Sequence, residues 1–277
     1  MHKRIWTIMA AFGLIVFVSQ PASSTTILPP SSFVAGQSIA DWTAAWWTWA
    51  LQAPAAQNPL TDTTGAFANV NNNGPVFFVA GTSGNTGPVS RSFQVPGGKP
   101  VLLPLINFSD TEPAEIDPPA ATLADRENAA NALVAGWLNA VNPASLFASI
   151  DGVPVANPSS FLEVTGFFSA GPVQAGSLIA SEGVPVGADL FPTKAAGYWL
   201  MIEDLAPGLH TLNFGGSSDA FTPAVNCCTN GEIPAFSVDV TDVISVKAPE
   251  PASASLLLPG FIGLIALTLL GRKNRRC

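Results

Sequence analysis

The sequence predicts a mainly β domain of the β-sandwich type with two packed helices, followed by a single C-terminal transmembrane helix. Three observations predict it. The chain holds 24 glycines and 25 prolines, and these cut residues 75 to 246 into short apolar or alternating runs, the pattern of strands joined by turns. Only two stretches, 41–52 and 122–141, place apolar residues at helical spacing along one face. Ala252 to Gly271 carries no charge over twenty residues. At about 1.5 Å per residue that stretch makes roughly 30 Å of helix, the thickness of a bilayer's hydrocarbon core.

At the N-terminus, His2, Lys3 and Arg4 precede an apolar run, Ile5 to Val18, and then the small residues Ala22-Ser23-Ser24. That order is a secretory signal peptide cut after Ser24; an uncleaved anchor is the alternative, for which the apolar run is short. The expected organisation is therefore a signal peptide at 1–24, an exported domain at 25–247 and a tail at 248–277. The central domain carries Arg91, Lys99, Arg126, Lys194 and Lys247 against eighteen Asp and Glu, a net charge of −13. Such a domain is expected to repel anionic lipid surfaces and nucleic acid, the latter not an expected partner. Cys227 and Cys228 are adjacent and can form only a strained vicinal disulfide, while Cys277 lies in the tail. His210 is the single histidine of the central domain, which excludes a multi-histidine metal site and leaves any Ser-His-Asp triad dependent on it.

The elements follow in order. In DWTAAWWTWALQ, Asp41 to Gln52, the indoles of Trp42, Trp46 and Trp49 share a face, with Ser38 or Asp41 as cap and Pro54 as stop. The expected use of that face is as a core anchor; a stacking platform for sugar rings is the alternative. Trp47 points off the face and is the candidate for glycan contact. Asn58 to Gly74 reads as loop, Pro75 to Gly81 as a buried strand, Ser90 to Val95 as an alternating strand with Phe93 and Val95 on one face, and Val101 to Phe108 as a strand broken by Pro104. Asp110, Glu112, Glu115 and Asp117 form an acidic loop that reads as solvated, or as weak calcium ligands whose spacing fits no EF-hand. Thr122 caps the second helix, with Asp125 three residues on, and Asn142-Pro143 ends it. Leu146 to Ala156 is a hairpin turning at Asp151-Gly152. Phe161 to Phe168, Gly197 to Ile202, Leu209 to Phe214 and Pro234 to Val246 are the remaining strands. His210 is expected to face solvent or a neighbouring strand, and not to act as a catalytic base.

The tail resembles a known signal. Pro249-Glu250-Pro251, an apolar helix and the cluster Arg272, Lys273, Arg275 and Arg276 resemble a PEP-CTERM sorting tail of Gram-negative bacteria, a tail also labelled an ice-binding protein C-terminal domain. The four basic residues stop translocation and hold that end in the cytoplasm. The resemblance implies an exosortase and the membrane as partners, cleavage near Pro-Glu-Pro, and a place in or near an exopolysaccharide or biofilm matrix. Residues 40 to 108 resemble an uncharacterised family of exported bacterial proteins in WWTWA, NP, Asp62, Gly65, GPVFFVAGT, Arg91, VPGGK and Asn107. That family's paired cysteines are implied at positions that here are Ala68 and Phe93, so that disulfide is absent.

Two functional classes compete. The first is an exported surface or matrix-associated protein with no catalysis and no cofactor. The second is a carbohydrate-active enzyme drawing two carboxylates from Glu112, Asp117, Glu163 or Glu203, which glycoside hydrolysis needs roughly 5 to 10 Å apart. A calcium-dependent adhesin is a third reading.

Overall fold

The computed structural model describes residues 25–83, 87–114, 122–222 and 232–248. The two terminal segments, the Pro249-Glu250-Pro251 motif, the expected span at 252–271, the basic cluster, Glu115, Asp117 and all three cysteines lie outside the described residues. Among the described residues no helix is long and apolar enough to cross a membrane.

The fold is mainly β. Its strands are β1 (Thr26–Leu28), β2 (Phe33–Val34), β3 (Gln37–Ser38), β4 (Phe77–Phe78), β5 (Val89–Val95), β6 (Val101–Thr111), β7 (Phe147–Ile150), β8 (Val153–Pro154), β9 (Leu162–Val164), β10 (Thr193–Glu203), β11 (Gly208–Ser218) and β12 (Phe236–Val246). The helices are α1 (Ile39–Gln52), α2 (Leu123–Ala140) and the single turn α3 (Leu178–Ser181). One sheet runs β1-β10-β6-β4, with β9 on the same edge of β10 as β1; the other runs β5-β12-β11-β7-β8. The sheets share one core, in which Leu103, Ile106, Tyr198 and Leu200 of the first meet Phe93, Leu212, Phe214 and Val240 of the second. Helix α2 joins this core through Val134, Trp137 and Val141, with Trp137 stacked on Phe108. Helix α1 covers the opposite face of the first sheet.

Both long helices begin as their sequences require. Ser38 and Thr122 each accept from the backbone N–H three residues on, and Asp41 and Asp125 reach back to the cap N–H. These capping boxes satisfy N–H groups that the first helical turn leaves open. The turn of the β7–β8 hairpin falls on Asp151 and Gly152, both at positive φ, as a tight two-residue turn demands.

Five strands differ from expectation, two by lengthening: that expected over 197–202 extends to β10, and that over 209–214 to β11. The strand expected from Pro75 shrinks to β4, and that from Phe161 shrinks to β9. The expected break at Pro104 does not occur. Strand β6 runs through it, because the β6–β10 ladder shifts there: Ile106 pairs with Tyr198 but Pro104 with Trp199. Leu105 is the extra residue of a bulge, where a residue without an N–H is tolerated. The bulge has a consequence for the face that β6 presents. Before it, odd residues such as Leu103 point into the inter-sheet core; after it, Asn107 pairs with Gly197 and turns toward α1.

Charge is also buried. The guanidinium of Arg91 makes a two-pronged pair with Asp242, at 2.8 and 2.9 Å, and donates to the carbonyls of Ala80 and Gly81. Both side chains are essentially inaccessible. The segment 58–74 is loop, as expected, but it is tied down. Thr64 accepts from Ser92 N–H, Asn69 donates to the Gln94 carbonyl, and Asn58, Asp62 and Asn72 are buried. It covers the free edge of β5, which would otherwise be open to strand pairing.

Candidate functional site

The chemically distinctive region lies on the α1 face of the first sheet. One row across that sheet is Glu163 on β9, Gly197 on β10 and Asn107 on β6. Gly197 is what lets the row close. A Cβ at its position would stand 2.5 Å from Trp199 Nε1 and 2.6 Å from Asn107 Cβ, so any larger residue would displace the indole. Trp199 is therefore drawn over the bare backbone, beside Asn107. Glu163 Oε1, Asn107 Nδ2, Trp199 Nε1 and Trp47 Nε1 are all enclosed and find no hydrogen-bond partner among the described residues. Three donors and one carboxyl thus sit under or beside α1, a costly arrangement that proteins keep sparingly.

Burial acts on the acid of this row. It pushes the Glu163 carboxyl up to about 7, because the charged form is disfavoured away from water. The folded protein therefore binds a proton here that the unfolded chain has released above the ordinary glutamate value. Stability from this group is fully present below about pH 4.5 and is lost as pH rises toward 7. Glu163→Gln removes the titration while keeping the shape. The variant is expected to match the parent in urea unfolding at pH 4.5 and to exceed it at pH 8 by about 1–2 kcal/mol. Equal midpoints at pH 8 would mean that the carboxyl is not held in its neutral form.

Next to this row runs a groove of about 480 Å³, whose polar lining is Trp47, Asn107, Asp110, Thr82, Ser83, Ser109 and Thr111, with Leu51, Ile179, Phe108 and Phe236 among its apolar walls. Hydroxyls, an amide, an indole and the Asp110 carboxyl over apolar walls suit a polyhydroxylated ligand. A second groove of about 470 Å³, mostly apolar, lies between β1 and the β7–β8 hairpin, lined by Ile27, Ile150, Val155 and Phe161.

The aromatic face of α1 is core. Trp42, Trp46 and Trp49 are buried, and their indole nitrogens donate to the carbonyls of Val34, Val79 and Val70. They are no sugar platform. Trp47, expected to be exposed, is half-buried. Its ring meets Trp46 edge-on at 5.1 Å and packs against the cluster of Leu51, Ala170 and Ile179, because residues 165–192 wrap the C-terminal half of α1. It lines the groove all the same.

The other candidates scatter. Asp110 is not in a loop but in β6, opposite Lys194, and Glu112 is buried just beyond the strand with its N–H donating to the Pro192 carbonyl. Strand pairing extends further than the acidic composition suggested. Among the described residues no three His, Cys, Asp or Glu are grouped to hold a metal ion. Glu163 is level with Gly197 and Glu203 lies six residues further along β10, roughly 20 Å away at strand rise. That is too far for the hydrolytic carboxylate pair.

His210 corrects the expectation in part. It sits in β11 but has an acid partner: Nδ1 lies 2.7 Å from Asp151 Oδ2, and Nε2 lies 2.8 Å from the Ala206 carbonyl. Both partners are acceptors, an arrangement that the doubly protonated ring satisfies best. Burial works against that charge, but Asp151 and Ala206 outweigh it and raise the pKa. Neither nitrogen is left to take a proton from a nucleophile, which a catalytic base requires. The hairpin turn that delivers Asp151 was legible; its register against β11 was not.

No protein-family model, curated protein or solved structure matches the chain.

Proposed function

We propose that this chain is an exported cell-surface or exopolysaccharide-matrix protein, tethered by its tail and sorted by an exosortase, with no catalytic role. One geometric observation supports it. The described domain begins at β1, where Thr26 pairs with Glu203, and ends at β12, where Val246 pairs with Gly208. Glu203 and Gly208 flank the single turn between β10 and β11. Both terminal segments therefore leave the domain at one pole, and both are apolar with basic flanks. A domain tethered by its tail is then held with this pole toward the membrane. The groove beside Trp47 and Asn107 lies near the other pole, where β6 ends and α2 packs, so a tethered domain would present it outward, toward matrix polysaccharide.

The sorting part is read by mass spectrometry of the mature C-terminus in the native host, with and without its exosortase. Pro249 and Pro251 keep the segment around Glu250 out of a helix interior, and an extended strand just outside the bilayer is what a membrane protease can grip. Wild-type cells are expected to end the protein near Pro249-Glu250-Pro251, and exosortase-deficient cells to keep residues up to Cys277. Wild-type protein that retains Cys277 would make the tail a permanent anchor and end the sorting reading.

A further inference from the structure

We infer that the pole from which both termini leave is itself a bilayer-docking surface, on which Phe33, Val153 and Leu209 enter the lipid interface while the chain is tethered. The inference rests on reading Ala252 to Gly271 as a membrane span.

The exposed apolar residues carry the first part. Phe33, Val153 and Leu209 are 73%, 69% and 74% exposed, and Val186 is the other large apolar residue above 60% among the described residues. The first three lie toward one pole. Leu209 is the second residue of β11, opposite Ser245 near the end of β12. Val153 follows the Asp151-Gly152 turn, whose backbone is bonded to Thr211. Phe33 belongs to the β2–β3 hairpin, which is held by the bond from Trp42 to the Val34 carbonyl; Trp42 packs on Phe78, and Phe78 pairs with Leu102 at the start of β6. Val186 sits apart, in the 165–192 segment, which joins the first sheet at Thr193; Thr193 itself is roughly 33 Å along β10 from Glu203.

Chain length carries the second part. Only Lys247 to Pro251 separates β12 from the uncharged stretch. Five residues span at most roughly 17 Å when fully extended. The pole is thus confined to the interface of any bilayer that 252–271 enters, and apolar side chains there gain by partitioning into it.

Charge carries the third. The far pole gathers Asp110, Glu112, Asp125, Glu127, Asp189 and Asp219 around Arg126 and Lys194. The exit pole sets Lys99, Lys247 and the titratable His210 against Asp41, Asp151, Glu203 and Asp204. An anionic lipid surface therefore repels the far pole more strongly than the near one.

The test uses the full chain reconstituted into vesicles of phosphatidylethanolamine and phosphatidylglycerol. A benzophenone amino acid replaces Phe33, Val153, Leu209 or Val186, one at a time; all four side chains are exposed, so the fold should not depend on them. Resistance to carbonate extraction first reports whether the chain is integrated. Photo-cross-linking to lipid is expected at positions 33, 153 and 209, several-fold above position 186. Integrated chain with equal or no lipid labelling at the three positions would overturn the docking surface and leave the tether standing. Chain that carbonate extracts would overturn both.

Discussion

Replacing Arg91 by methionine is expected to destabilise residues 25–247 by about 3–5 kcal/mol, measured as a fall in the urea midpoint at pH 7. Breaking a buried ion pair from one side leaves an uncompensated charge, and that cost exceeds the net worth of the pair itself. Here the stranded group is Asp242, wholly inaccessible between the sheets, and the carbonyls of Ala80 and Gly81 lose their donor as well. Burial already pushes the Asp242 carboxyl up, with Arg91 opposing it. Without Arg91 the acid is best buried as the neutral form. The folded variant then binds a proton that the unfolded chain lacks above the ordinary aspartate value, so its stability falls as pH rises from about 4. The variant should lose stability between pH 4 and pH 7 more steeply than the parent. A double variant, Arg91→Met with Asp242→Leu, removes both charges and is expected to recover much of the loss. A single variant as stable as the parent at pH 7 would mean that water reaches Asp242.

That pair shows what the sequence makes legible and what it does not. Alternation in Ser90–Val95 points to a strand with Phe93 and Val95 on one face; that Arg91 shares their buried face and meets Asp242 is seen only in the fold, because Asp242 is 151 residues away and arrives by the parallel pairing of β5 with β12. Local signals survive folding well. Thr122 with Asp125 and Asp151-Gly152 each act within four residues and form the cap and turn expected of them, and of the two caps open for α1, Ser38 and Asp41, the fold uses Ser38 with Asp41 at its third position. The polar row fails this test of locality. Asn107 reaches the α1 face only because a bulge at Leu105 shifts the alternation of β6 by one, and Glu163 meets it only across Gly197. Nothing in a linear reading distinguishes Glu163 from Glu203; their difference is register, burial and what lies beside them. Trp47 was read from helical spacing alone, which ignores the distant segment 165–192 that half-covers it.

The second large effect falls on α1. Trp46→Ala is expected to cost about 3–5 kcal/mol, the range for truncating a buried aromatic. The site argues for the upper part of that range. Trp46 is fully enclosed, and its ring meets Trp47, Trp49 and Trp199 edge-on at 5.1 to 5.8 Å. Its Nε1 donates at 2.7 Å to the Val79 carbonyl, just past β4, so truncation also leaves a buried acceptor open. Because Trp199 packs on Trp46 and also overlies Gly197, the cavity opens directly beneath the Glu163–Asn107 row. Net stabilities of domains are about 5–15 kcal/mol, so the variant of residues 25–247 should melt far below the parent. Trp47→Ala should cost less, since Trp47 is half-buried and its nitrogen has no partner among the described residues to lose. Thermal melts of the two variants side by side provide the check. Were Trp46→Ala to melt with the parent and Trp47→Ala well below it, the packing of α1 on the first sheet would have to be turned about its axis, and the indole face would return as a surface for ligand.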